Sequence, residues 1–256
     1  FLFDSEKIAV GMVRSLEDFT YYSVPFNAAW RLTALAGALS LVLLPRVGFA
    51  VAAGNRHAAA DLARRATRVI VGGMALVLAP LIGIVPELLT LWLGEHFAAR
   101  ASLPSRIVLV ALLANTAAFP ANAVIRAISR PSALTILYAC ELPLHLVTVW
   151  VLVKRLGVTG AALAWGVRVV LDAQMQRWLA GRALAAPMER AHQTPLCLLA
   201  LGGLTLALEL LGDVIPVAVR LIASSCVGAV IWATLWTAED RRRVLAALFP
   251  SSWSAP

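Results

Sequence analysis

Seven apolar runs of bilayer length, set apart by short charged stretches, dominate the chain: approximately residues 20–44, 67–93, 106–127, 132–153, 157–180, 195–211 and 214–236. A helix needs ~20 consecutive apolar residues to cross a hydrocarbon core about 30 Å thick. A strand would cross in about 9 to 11 residues of alternating polarity, and no such alternation is visible. Hydrocarbon offers the backbone no hydrogen-bond partner, so runs of this kind specify helices. The expected fold class is therefore all-α, a polytopic transmembrane helix bundle. Mean hydropathy of +0.82 agrees. So does a charged fraction of 14%, against roughly a quarter in soluble domains.

Residues 1–14 form a half-length apolar run interrupted by Asp4, Glu6 and Lys7. Because it opens on Phe1, the chain is expected to be part of a longer one that starts upstream. Pro25, Pro80, Pro86, Pro120, Pro143 and the pair Gly72 and Gly73 mark the natural bends, which a bundle tolerates because neighbours satisfy the freed backbone groups. Cys140, Cys197 and Cys226 all lie in apolar runs without CxxC spacing, and read as packing residues rather than disulfides or metal ligands. The tryptophans, Trp253 of the tail aside, sit mostly toward span ends, as interfacial anchors do.

The net charge of +8 is explained by topology. Thirteen Lys and Arg residues fall on one side of the alternating spans and five on the other. The positive-inside rule places the richer side, and the C terminus, in the cytoplasm. These arginines are divided among four loops instead of forming one patch, which argues against a nucleic-acid partner. The loop between Arg46 and Arg68 is expected to hold an amphipathic helix whose cationic face meets anionic headgroups, or to act as a plain topology determinant.

Charges inside spans cost about 2.5 to 3.5 kcal/mol near the bilayer centre on insertion scales, and normally face a bundle interior or a wet cavity. Arg31 lies mid-span with Asn27 one turn earlier on the same face; it reads as a site for an anionic group or as the partner of an interior carboxylate. Arg168 and Asp172, four apart, either pair within one helix or serve a substrate or gate. Glu141 and His145 share a face and form either a proton or cation relay or a structural answer to Arg31 or Arg168. Asn115, Asn122 and Arg126 make one helical stripe, suited to a sugar and phosphate surface or to interhelical hydrogen bonds. Arg220 and Glu209 carry no assigned role, though Arg220 can snorkel. The small residues from Gly157 to Ala164 suggest close helix packing or sliding. No GxSxG, HExxH, phosphate loop or CxxC occurs, and the four histidines are scattered, so nothing argues for an enzyme, a metal or a cofactor.

Several short stretches, in order and spacing, carry a resemblance: Asp4 to Gly11, Tyr21 to Asn27 with Arg31, Leu43 to Arg46, Leu91 to Gly94 followed by Phe97, the Arg130 and Pro131 turn, Glu141 to Pro143, and Gly157 to Trp165 with Arg168 and Asp172. Over about residues 4–185 the chain resembles the C-terminal half of the lipid-linked oligosaccharide flippases. This is the O-antigen translocase, or polysaccharide-transporter, branch of the MATE-like exporter superfamily. The resemblance implies a six-helix lobe over residues 1–185, two accessory helices and a tail over 186–256, and a missing N-terminal lobe as partner. It further implies flipping of an undecaprenyl-diphosphate-linked oligosaccharide across a bacterial inner membrane by alternating access, for O-antigen or exopolysaccharide synthesis. Membrane lipids, a polymerase and glycosyltransferases are the other implied partners. Arg31 and Arg168 are then the candidates for the diphosphate. Glu6 and Lys7 depart from the Asp-Arg pattern common at that point and leave the ion site open. A cation-efflux pump is the alternative and would want interior carboxylates to outnumber arginines. A membrane-embedded polymerase or acyltransferase would want a large outer loop, and the outer loops here are short.

Overall fold

Helix starts and stops follow ordinary local chemistry. The computed structural model describes residues 5–128, 131–186, 193–212 and 214–235, and among them every regular element is a helix. The opening half-run is α1 (Ser5–Val13). The Ser15 hydroxyl then caps α2 (Leu16–Trp30), accepting from the Asp18 amide at 3.0 Å with Glu17 and Asp18 in the first turn, where acidic groups meet the positive end of the helix dipole. After α2 the chain tightens through Arg31 and Leu32 into α3 (Thr33–Ala52) by i to i+3 hydrogen bonds. Such 3₁₀-like stretches within a helix mark bends.

Between Arg46 and Arg68 the stretch expected to be amphipathic is helical, and it belongs to longer helices. Helix α3 runs on to Ala52, three residues make a tight turn, and Asn55 caps α4 (Arg56–Leu93). At 38 residues α4 is about 57 Å long at 1.5 Å per residue, well beyond the hydrocarbon core. The basic stretch is amphipathic as expected, and its alanine face, Ala59, Ala60 and Ala63, is buried against α3 and the ends of other helices. Gly94 ends α4 and starts α5 (Glu95–Ala117), which breaks at Ala118 before α6 (Phe119–Ala127). Pro120 in the first turn of α6 accounts for that break. Other expected bends, Pro25, Pro80, Pro86 and Pro143, lie within continuous helix.

Helix α7 (Pro131–Leu184) has 54 residues and one non-helical residue, Gly157, at φ 60°. A straight helix of that length would reach about 80 Å. It folds back instead: a Cβ added at Gly160 would overlap the Leu152 carbonyl oxygen, eight residues away, where a straight helix would hold the two about 12 Å apart. Only glycine adopts this φ without strain, and only glycine fits at 160. Among the described residues, six helical stretches are long and apolar enough to cross a bilayer. The fold-back divides Leu134–Leu184 into two, so the seven expected spans are recovered. The last two are α8 (Gln193–Leu211) and α9 (Val217–Leu235).

Packing places the segment ends as an alternating topology requires. At one end, the Arg14 guanidinium donates to the Val153 and Lys154 carbonyls at 3.1 and 2.9 Å, and the Tyr21 hydroxyl lies 3.2 Å from His96 Nδ1. At the other end a separate hydrophobic cluster joins Leu43, Val47, Ala60, Val124, Leu134 and Leu184. The main core fills the space between and includes Leu201 and Leu208 of α8 and Ile231 and Leu235 of α9. Helix α9 lies closely along α4, where a Cβ at Gly228 would stand 2.8 Å from the Ala75 carbonyl. Two tryptophans are not interfacial. Trp165 is fully buried and meets Phe26 edge to face at 5.0 Å, and Trp30 stacks on Phe26 at 6.0 Å. Trp92, Trp150 and Trp178 are exposed, as anchors are. Arg130, Arg190, Arg241, Arg242, Arg243, Trp236 and Trp253 lie outside the described residues.

Candidate functional site

Helices α5 and α6 and the two halves of α7 each deliver polar side chains to one cavity of about 330 Å³. The stripe expected on 106–127 supplies Asn115, Asn122 and Arg126; the first half of α7 supplies Tyr138, and the second half Arg168, Asp172 and Gln176. Trp30, Ser40, Leu41 and Leu44 of α2 and α3 close the remaining wall. Gln176 organises these groups. Its amide nitrogen donates to both Asp172 oxygens at 2.8 and 2.9 Å and to the Tyr138 hydroxyl at 3.3 Å, and its oxygen accepts from Asn122 at 3.1 Å. Asp172 is therefore held by the residue one turn further along its own helix. Arg126 is exposed at the end where the second hydrophobic cluster lies, whereas Arg168, Asp172 and Gln176 are buried. Asn115 Oδ1 and Ser40 Oγ, both on the wall, are buried without a hydrogen-bond partner. Buried polar atoms of this kind cost free energy until something pairs with them.

A second cluster sits beside this cavity. His145 Nε2 lies 2.8 Å from Glu6 Oε1, with side chains 2% and 1% exposed. Arg168 Nε is 3.9 Å from the same oxygen, and Ser5 Oγ is 3.0 Å from His145 Nε2. The imidazole thus pairs with a carboxylate of α1, not with Glu141. Glu141 and His145 do share a small cavity of about 240 Å³ with Arg168. Glu6 was the residue least legible in the sequence, because it lies in a half-length run whose packing partner cannot be read from spacing. A carboxylate beside Lys7 at the start of a mostly apolar helix was the available signal.

The expected residues divide accordingly. Arg168, Asn115, Asn122, Arg126 and Asp172 come together in the larger cavity, and Glu141 and His145 lie on the smaller one. Arg31 and Asn27 do not line either. Both are exposed, one turn apart near the bend between α2 and α3, and Asn27 Oδ1 accepts from Lys7 Nζ at 2.9 Å. Tyr138 and Gln176 are cavity residues that the sequence reading passed over. Arg106, counted there as a loop charge, is buried and pairs with Glu209 of α8 at 2.8 Å. Glu87 of α4 pairs with Arg220 of α9, so the accessory helices are tied to the bundle by both charges left without a role. Among the described residues no group of three or more His, Cys, Asp or Glu could hold a metal.

Comparison with known proteins gives one clear likeness. Over 178 residues, 68% of this chain, it is 23% identical to the Shigella flexneri protein named "Putative O-antigen transporter". The match supports the O-antigen translocase, or polysaccharide-transporter, family. Polytopic helical architecture, apolar spans and a polar interior cavity accord with a multi-pass membrane transporter. The matched region covers 41% of that relative's length. No family model and no solved structure matches the chain.

Proposed function

We propose that this chain is a lobe of a flippase that moves an undecaprenyl-diphosphate-linked oligosaccharide across a bacterial inner membrane by alternating access. The carrying observation is the cavity formed by Arg126, Arg168, Asn115, Asn122, Tyr138 and Gln176 in a bundle that is otherwise apolar. Guanidinium groups suit a diphosphate because their planar donors match phosphate oxygens. Amide and phenol groups suit sugar hydroxyls. At about 330 Å³ the cavity is at the small end for ligand sites, a size for a head group rather than a long glycan. With the basic ends cytoplasmic, it opens through Arg126 toward the side on which lipid-linked sugars would be loaded, and the C terminus lies on that side too. Arg31, exposed, would meet ligand only across an interface with the N-terminal lobe of the flippase.

An efflux pump for cations is disfavoured by the same wall: two arginines face it against one carboxylate, and both oxygens of Asp172 already accept from Gln176.

The test is surface polysaccharide and membrane expression of the full-length transporter carrying Arg126→Ala or Arg168→Ala. Loss of a charge-assisted hydrogen bond, about 1.5 to 3 kcal/mol, corresponds to a roughly 10- to 100-fold weaker head-group interaction. Polysaccharide should fall sharply at unchanged expression. Normal polymer in the Arg126→Ala strain would sink the reading, since Arg126 has no buried partner whose loss could explain a defect.

A further inference from the structure

Of the five Lys and Arg residues on the sparsely charged side of the spans, three gather at the fold-back of α7. Arg14 reaches the end of the first half of α7 and donates to the Val153 and Lys154 carbonyls. Lys154 and Arg155 follow one another there, and both are exposed. Among the described residues no carboxylate forms an ion pair with any of the three. The acids closest to Arg14 in sequence, Glu17 and Asp18, open α2, and Glu17 accepts from the Tyr21 hydroxyl. A helix C-terminus carries only about half a negative charge, which Arg14 offsets. Lys154 and Arg155 exceed what the fold-back needs.

Below these cations an apolar groove of about 530 Å³ runs between α1 and the first half of α7, within the size range of ligand sites. Its walls include Ile8, Ala9 and Met12 of α1 and Leu146, Val147 and Trp150 of α7, and apart from Ser5 at the deep end its lining is apolar or aromatic. At its mouth Lys154 Nζ lies 4.5 Å from the centre of the Trp150 ring, a cation–π contact. From Leu142 to Trp150 the groove follows the helix for about 12 Å at 1.5 Å per residue, in the half of the 132–153 span nearer the fold-back. One leaflet of a hydrocarbon core about 30 Å thick is ~15 Å deep. The groove thus has the depth of a single leaflet, with cations and an indole at its head.

We propose that this groove binds one anionic diacyl phospholipid of the outer leaflet, with an acyl chain along α1 and α7 and the phosphate at Lys154 and Arg155. The basic loops place the fold-back opposite the cytoplasmic ends, which makes the leaflet the outer one. The proposal is independent of the cargo and needs only that the chain spans a membrane. Charge selects the lipid: a zwitterionic head group brings its own cation to a site that already holds three, whereas phosphatidylglycerol brings a net negative charge. Trp150 sets the same depth, since indoles sit at the head-group level. Length separates a phospholipid from the polyprenyl diphosphate of the transport reading: a groove one leaflet deep seats an acyl chain whole but only part of a longer chain. The bound lipid covers Ile8 and Met12, which are 49% and 76% exposed, and so holds the nine-residue α1 against α7.

The full-length protein in nanodiscs tests this with lipids brominated on the acyl chain, which quench a tryptophan they touch. The difference between the unaltered protein and Trp150→Phe isolates Trp150. Each Lys or Arg near an anionic lipid is worth about fivefold, so two charges make about 25-fold. Half-maximal quenching of Trp150 should therefore need about 25-fold less brominated phosphatidylglycerol than brominated phosphatidylcholine. The Lys154→Gln, Arg155→Gln double variant should reduce that preference to about fivefold or less; Arg14 is left in place because it also caps the α7 carbonyls. Equal quenching by both lipids in the unaltered protein would mean an ordinary lipid-facing surface, and no quenching by either would mean that the rest of the transporter covers the groove. Each result overturns the inference. So does undecaprenyl diphosphate if it displaces the brominated lipid at a lower mole fraction than unlabelled phosphatidylglycerol does, since the groove then belongs to the cargo. Native mass spectrometry of the unaltered protein needs no variant to fold: it should retain one phosphatidylglycerol from an equal mixture with phosphatidylcholine, and retention of both equally or of neither counts against the proposal.

Discussion

Gln176 holds the cavity wall together although nothing about its residue type announces it. Its side chain ties α6, the first half of α7 and Asp172 into one network, and it is 2% exposed. Replacing it with leucine would leave the buried Asp172 carboxylate without its donor. Hydrogen bonds to charged groups are worth about 1.5 to 3 kcal/mol, so Gln176→Leu should lower the thermal unfolding midpoint in detergent, with Gln176→Asn recovering part of the loss. The Arg168 and Asp172 spacing was legible in the sequence, and Gln176 continues it at the next i+4 position. What spacing could not reveal was that the Gln176 amide would reach both Asp172 oxygens, because an i, i+4 pattern offers neighbours and only the rotamers in the packed bundle set their contacts.

At the scale of elements, α8 and α9 are each tied to the bundle by an ion pair among the described residues, and the Arg106 and Glu209 pair is asymmetric. The arginine side chain is 4% exposed and the glutamate 42%. Removing the glutamate strands a buried charge, whereas removing the arginine leaves a carboxylate that water can reach. Glu209→Ala should therefore destabilise by about 2 to 3 kcal/mol and Arg106→Met by about 1 kcal/mol or less. Thermal unfolding of the two variants, and of the Arg106→Met, Glu209→Leu double variant, checks the order. An equal loss in both single variants would contradict it. Element boundaries were readable where a turn residue decides them, as at Gly94 and at Pro120, which follows the break at Ala118. A break between the spans 132–153 and 157–180 was expected, with Lys154 and Arg155 between them, and the glycine geometry at Gly157 supplies its mechanism. The bend at Arg31 and Leu32 was not expected there, because no proline or glycine marks it. The Thr33 hydroxyl donates to the Trp30 carbonyl at 2.7 Å and takes up one freed acceptor.

Over the whole molecule, the alternating ends and the exposure of Arg126 on the cavity wall make a single prediction about access. With Cys140, Cys197 and Cys226 replaced, a cysteine at Asn122 should react with a membrane-impermeant thiol reagent from the cytoplasmic side, in inside-out vesicles and not in intact cells. Labelling only from the outside would reverse the orientation drawn from the basic loops. Membrane character, span number and relative sidedness were determined by the sequence alone, because hydrocarbon length and the unsatisfied backbone are constraints on each run separately. Which charges meet was decided only by tertiary structure. Glu6 reaches His145 across about 140 residues of chain, Arg106 reaches Glu209 across about 100, and Arg31 is left at the surface. Helical periodicity fixes which side of a helix a residue occupies, but the neighbour that side faces depends on how helices distant in sequence pack together.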